Sequence, residues 1–206
     1  MPIFFQHQIN ETTRLGIWKI EETEDFFILN VPQRPNVSHP HKRLQHLAGR
    51  FLLRYLFPDF PNELIRIADT RKPFLPDEQY HFSISHCGDY AAAIVSKDSR
   101  VGIDIEIPTQ KIAGIMYKFL SAKEHEAFQL IQPDINRIPL ATLLWSAKES
   151  VFKWHGNGGV DFRREIQLGK KHEANKTIEC FFSKNEVGLS INYREFDHLV
   201  LAWVIS

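Results

Sequence analysis

Two carboxylates stand two residues apart in Val101-Gly102-Ile103-Asp104-Ile105-Glu106, inside an otherwise apolar run. On a strand, alternate side chains share a face, so Asp104 and Glu106 point the same way. Burying both would demand a compensating cation, either a metal ion or basic side chains. Taken alone, the stretch reads as an ordinary strand with a solvated acidic face. A second stretch, Trp145-Ser146-Ala147-Lys148-Glu149-Ser150-Val151-Phe152-Lys153-Trp154, puts Trp145, Glu149 and Lys153 on one helix face. Taken alone, Glu149 and Lys153 read as a surface ion pair worth about a few tenths of a kcal/mol.

The elements that carry these residues follow from hydrophobic spacing. The first thirty residues hold short apolar clusters that predict a strand, a loop, and a second strand or helix start, followed by a loop over 32–36. From His39, Leu44, Leu47, Ala48, Phe51, Leu52, Tyr55 and Leu56 keep helical spacing, with Ser38 as the expected N-cap and Pro58 as the stop. The polar face of this helix carries Lys42, Arg43, Arg50 and Arg54. Such charges are usually solvated, but Arg43 and Arg50 on a rigid helix are also shaped for phosphate. His39, His41 and His46 read as surface histidines, because their spacing matches no metal site.

Further on, Arg71 to Pro76 form a stiff turn that presents Lys72. The run from His81 to His86 alternates as a half-buried strand ending in Ser85 and His86. A turn at Gly88 leads to an alanine-rich strand over 90–96, and a third strand over 101–107 completes an expected antiparallel meander. Ser121 to Glu124 spell a capping box, opening a helix with Ala127, Phe128 and Ile131 on its apolar side. Another helix starts near Ile138 and ends before His155-Gly156, and strands are expected over 177–183, 187–193 and 199–205. Helices followed by a meander thus occur twice, which predicts two similar α+β halves.

Composition narrows the classes. The 206 residues hold 25 Lys and Arg against 25 Asp and Glu, so no global field calls for nucleic acid. Cys87 and Cys180 match neither a metal spacing nor a disulfide framework, which fits a reducing compartment. No segment approaches bilayer length and the start lacks a leader pattern, so the expectation is a cytoplasmic protein that does not contact a membrane.

The motifs VGIDIE, WSAKESVFK, FSISHCGDYAAAIV and RKPFLP, in this order and spacing, resemble the 4'-phosphopantetheinyl transferase superfamily. The likeness is to the longer, two-lobed type that activates peptide, polyketide and fatty-acid synthases, and it is dense from Arg43 to Lys153. The first element alone is weak; joined to W-x-x-K-E-x-x-x-K about forty residues later it is specific.

The resemblance implies an α+β fold of two pseudo-symmetric lobes, each a small antiparallel sheet packed with helices, with the active cleft between them. Residues 1–102 would form the coenzyme A side and 103–206 the metal-binding and catalytic side of a monomer. The implied reaction moves phosphopantetheine from coenzyme A to a serine of an apo acyl or peptidyl carrier protein, releasing adenosine 3',5'-bisphosphate. Asp104 and Glu149 would hold Mg²⁺, with Glu106 binding it directly or through water and Mn²⁺ as the alternative metal. Glu149, or a water it orients, would take the serine proton, and Lys153 would stabilise the departing charge. Lys72, Ser85 and His86 fall to coenzyme A, Arg43 or Arg50 to its 3'-phosphate, and Lys148 stands near enough in sequence to reach a phosphate.

The family's usual glycine before Lys-Pro is Arg71 here, and its usual serine after the histidine is Cys87. Neither change removes a group that the chemistry needs. Two other classes compete: a noncatalytic module binding coenzyme A or carrier protein, and a Mg²⁺-dependent nucleotide phosphohydrolase.

Overall fold

The computed structural model describes residues 3–31, 37–130 and 137–206. The loop expected over 32–36 and the helical position of Ile131 lie outside the described residues. The chain divides into two compact units, Met1–Val101 and Gly102–Ser206.

In the first unit, β1 (Ile3–Gln8) and β2 (Thr13–Lys19) form a hairpin, followed by α1 (Glu24–Asn30) and α2 (Pro40–Leu56). A two-residue pair, β3 (Arg66–Ile67) and β4 (Pro73–Phe74), precedes β5 (His81–Cys87) and β6 (Tyr90–Ser96). The main sheet runs β1-β2-β6-β5 and is antiparallel throughout. Leu47, Ala48, Leu52, Leu53 and Leu56 of α2 are buried in one core with Trp18, Ala91, Ala93 and Val95. The alanines therefore make room for a helix. At Gly49 an added Cβ would lie 2.6 Å from Ile84 Cγ2, so this glycine is what lets α2 sit that close to β5.

The helix begins one residue later than its polar pattern suggests. Pro40 occupies the first helical turn and forces the residue before it to be extended, which makes His39 the cap instead of Ser38. His39 Nδ1 accepts from the Lys42 amide at 3.5 Å.

The second unit begins within β7 (Val101–Glu106), at Gly102, and continues through α3 (Gln110–Gly114), α4 (Met116–Phe119), α5 (Ala122–Ala127) and the long α6 (Ile138–His155). The strands β8 (Ile166–His172), β9 (Thr177–Phe182), β10 (Val187–Glu195) and β11 (Val200–Ile205) form an antiparallel meander. The sheet order is β7-β11-β10-β9-β8. This corrects the expected three-strand meander: β7 does not continue the β5-β6 hairpin but pairs beside β11. Strand alternation tells which side chains share a face, not which strand lies alongside, and the packing of β7 against α6 decides the matter.

That packing is set at Gly102. A Cβ there would lie 2.0 Å from Ser150 O and 2.6 Å from Trp154 N, so the strand backbone rests directly on the helix backbone. The glycine of the VGIDIE run is thus a steric requirement of β7 meeting α6. Behind it, Leu143, Leu144, Ala147 and Val151 of α6 share a core with Ile166, Ile178, Phe182, Ile191 and Ala202 of the sheet.

The capping box at α5 forms as expected: Glu124 Oε2 accepts from Ser121 N at 2.6 Å, and Ser121 Oγ accepts from Glu124 N at 3.3 Å. The other carboxylate oxygen of Glu124 accepts from Leu168 N at 2.9 Å and faces Lys148 Nζ at 2.7 Å. One glutamate therefore ties α5, β8 and α6 together. Among the described residues, no helix is long and apolar enough to cross a membrane.

Gly102→Ala should destabilise the second unit by about 3 kcal/mol, since neither backbone atom that the methyl meets can move alone. Urea unfolding followed by tryptophan fluorescence checks this, and an unchanged midpoint would remove the steric role.

Candidate active site

Asp104 is only 2% exposed, so the solvated acidic strand that the pair suggests in isolation does not form. Gly102, Asp104 and Glu106 share the face of β7 that meets α6, and Glu106 at the strand end is half-buried. Lys153 Nζ donates to Asp104 Oδ1 at 2.6 Å. A carboxylate this deeply buried requires such a partner, and helical spacing from Gly102's contact at Ser150 delivers it one turn along.

Glu149 lies one turn before Lys153. Burial pushes its carboxyl up to about 7, with Asp104 and Glu106 adding repulsion and Lys153 opposing them. Asp104 and Glu106 thus both act on Glu149, and Lys153, bonded to Asp104, offsets part of their repulsion. The three carboxylates are hard oxygen donors, the type suited to Mg²⁺ or Mn²⁺. Their side chains are not drawn together into a ready cage: among the described residues, no group of three or more His, Cys, Asp or Glu is arranged to hold a metal ion.

Lys148 does not face this group. Its side chain is fully buried, and Nζ donates to Phe162 O at 2.8 Å and Ile166 O at 2.7 Å besides pairing with Glu124. All three ammonium protons are engaged, so Lys148 fastens α6 to the chain that follows it and is not available to a phosphate.

The nucleotide-side candidates all belong to the first unit. Ser85 is buried and His86 exposed at the end of β5, where the His86 ring lies 5.2 Å from that of His46 on α2. His46 is exposed, as its spacing suggests, but nothing local in the sequence reveals a strand end beside the helix. Burial, then Arg50 and Lys42, hold His46 below its ordinary pKa.

The two arginines differ sharply. Arg43 donates through Nε and Nη2 to the two oxygens of Glu24 at 2.6 and 2.8 Å, and through Nη1 to Val37 O and Ser38 O. Its guanidinium clamps α1 to α2. Arg50 is half-buried, and burial lowers its pKa. Lys72 is held down to about 8 by burial and by Arg100, a neighbour that the sequence pattern did not reveal. Beside it, Arg71 has φ 66°, in the left-handed region that favours glycine.

A family model described as the 4'-phosphopantetheinyl transferase superfamily matches residues 100–204, a span that contains Asp104, Glu106, Glu149 and Lys153. The chain belongs to this superfamily. Enterobactin synthase component D of Salmonella austin is 38% identical over 114 residues, 54% of this chain and 47% of that protein. The same-named protein of Escherichia coli K12 is 34% identical over 131 residues, covering 61% of this chain and 62% of the relative. The 4'-phosphopantetheinyl transferase AcpT of that strain is 30% identical over 117 residues, 56% of this chain and 59% of the relative. The chain therefore spans about half to three fifths of the length of the curated relatives it matches. Within the superfamily, the glycine usual before Lys-Pro has a physical reason here, since Arg71 occupies a backbone conformation that costs a side chain about 1 kcal/mol.

A lysine whose folded pKa lies below its unfolded one costs stability while it is charged, and that cost disappears as pH rises from about 8 through 10.5. Lys72→Met should therefore raise the melting temperature at pH 7, with the gain shrinking by pH 10. A gain of equal size at both pH values would contradict the buried charge.

Proposed function

We propose that the protein transfers 4'-phosphopantetheine from coenzyme A to a serine of an apo acyl or peptidyl carrier protein, releasing adenosine 3',5'-bisphosphate. The observation that carries this reading is the Asp104–Lys153 pair with Glu149 one turn away, on the strand and helix that the superfamily model matches. A pyrophosphate is the natural partner of such a group, because its transfer needs positioned charge and a proton acceptor but no covalent enzyme intermediate.

In the proposed reaction, the serine oxygen attacks the β-phosphorus of coenzyme A and forms the new P–O bond. Glu149, or a water it orients, takes the serine proton. The bond between the β-phosphorus and the bridging oxygen breaks, and the electron pair leaves on adenosine 3',5'-bisphosphate. Lys153, the solvent-accessible member of its pair at 25% side-chain exposure, stabilises that charge. Asp104, Glu106 and Glu149 would hold Mg²⁺, or Mn²⁺ in its place. Bound there, the ion supplies positive charge to the pyrophosphate oxygens.

Coenzyme A contacts are assigned to Lys72, Ser85 and His86. Arg43 or Arg50 would meet the 3'-phosphate, and Arg43 could do so only by surrendering a two-pronged ion pair with Glu24. A half-buried lysine held down to about 8 also gains by meeting an anion, which offsets its desolvation.

Apo carrier proteins of several types, incubated with coenzyme A and Mg²⁺, should gain the mass of phosphopantetheine in intact mass spectrometry. No gain on any carrier would refute the reading, and coenzyme A cleavage without carrier would instead support a phosphohydrolase. Asp104→Ala and Glu149→Gln should each abolish transfer while circular dichroism stays unchanged. Lys153→Ala should slow turnover by about a hundredfold or more. Near-normal transfer by a variant would remove that residue from the chemistry.

A further inference from the structure

The chain that leaves α6 does not run away from it. Gly156, Gly158 and Gly159 all have positive φ and reverse the backbone, and Lys184 Nζ holds Gly159 O at 2.6 Å. After Val160, the five residues Asp161 to Glu165 form a turn that ties itself shut. Glu165 N donates to Asp161 O at 2.8 Å, Glu165 Oε2 accepts from Asp161 N at 2.8 Å, and Asp161 Oδ1 accepts from the Arg163 and Arg164 amides.

The apolar side chain of that turn is Phe162, and it folds back onto α6. Its ring centroid lies 5.7 Å from Trp145 and 5.4 Å from Phe152. These two residues stand four before and three after Glu149, so they flank it on one face of the helix. A ring in contact with both must lie across the helix turn that carries Lys148 and Glu149. Lys148 clasps the same residue from below through its bond to Phe162 O, with Ile166 O and Glu124 completing its shell.

We propose that Phe162 is a positioning residue for Glu149, a ring held over the carboxylate's helix turn by the buried Lys148–Glu124 pair. The ring walls one side of the niche, which keeps bulk water off that flank and fixes the rotamer of Glu149 against Trp145 and Phe152. The ion pair is an unusual fastener for a core, since apolar residues of similar volume would hold the helices at least as firmly. Its three directional bonds fix where the returning turn sits along α6, which apolar packing alone would leave free to slide. This inference rests on the transferase reading for its kinetic readout and on geometry for the rest.

The test uses the full chain, apo carrier protein, coenzyme A and Mg²⁺, with the unaltered enzyme as control. Phe162→Ala should lower kcat about tenfold or more while KM for coenzyme A stays within about twofold. Phe162→Leu, which keeps an apolar wall, should recover most of the rate. A ring that only packs would lower the melting temperature and leave kcat intact, and that result overturns the proposal.

The double variant Lys148→Met with Glu124→Leu replaces the fastener by apolar groups and covers the case in which Phe162→Ala does not fold. Its amides over 156–166 should exchange hydrogen at least tenfold faster, as will those of α5 and Leu168 that lose their bonds to Glu124, with exchange in β9, β10 and β11 unchanged, and its kcat should fall as in Phe162→Ala. Unchanged exchange, or faster exchange at full kcat, overturns the role of the pair. If the unaltered enzyme transfers nothing, the transferase reading fails by itself, whereas the exchange measurement still judges the fastener.

Discussion

Everything in the second unit that bears on chemistry depends on two backbones touching. Where β7 crosses α6, Gly102 leaves no space for a side chain against Ser150 O and Trp154 N. This contact fixes the height of the strand on the helix. Two residues along β7 and three along α6, Asp104 and Lys153 are then brought to 2.6 Å. Any side chain at 102 would lift the strand, lengthen that bond and leave a nearly buried carboxylate without its cation. The small residue and the charged one thus serve a single constraint.

The same constraint explains the electrostatics. Once Asp104 is buried and ionised beside Lys153, Glu149 shares a partly desolvated space with a like charge, and its carboxyl rises to about 7. The helix that carries these groups is itself held from its far side. Lys148 and Glu124 join α6 to α5 and β8 through a buried pair with every donor engaged. One face of α6 therefore fixes the helix, and the neighbouring face presents Glu149 and Lys153. Consecutive residues, Lys148 and Glu149, have opposite tasks because the helix turns by about a hundred degrees between them.

How much of this can be read from the sequence depends on the range of the interaction. Helical spacing gives α2 and α6, and the Ser121–Glu124 box gives the start of α5, because these signals lie within a turn of each other. The Asp104/Glu106 and Glu149/Lys153 pairs are visible for the same reason, although what joins them lies 49 residues apart. The sheet to which β7 belongs is not visible, since alternation carries no information about the neighbouring strand. Strand β8 is hidden because its alternation is broken by Gly169 and by a register shift between Leu168 and Lys171. Arg43 looks like an open phosphate ligand on the helix, and only Glu24 on another helix shows its guanidinium already engaged. Likewise Lys148 looks like a phosphate ligand until the carbonyls of Phe162 and Ile166 are seen to surround it.

The claim at the centre of this account is that β7 and α6 meet so closely that buried Asp104 and partly exposed Lys153 form one energetic unit. A double-mutant cycle on unfolding of the second unit, with Asp104→Asn, Lys153→Met and the two combined, measures that directly. The account predicts a coupling of about 2 kcal/mol, each single change costing nearly as much as both. Losses that simply add, with a coupling near zero, would contradict it.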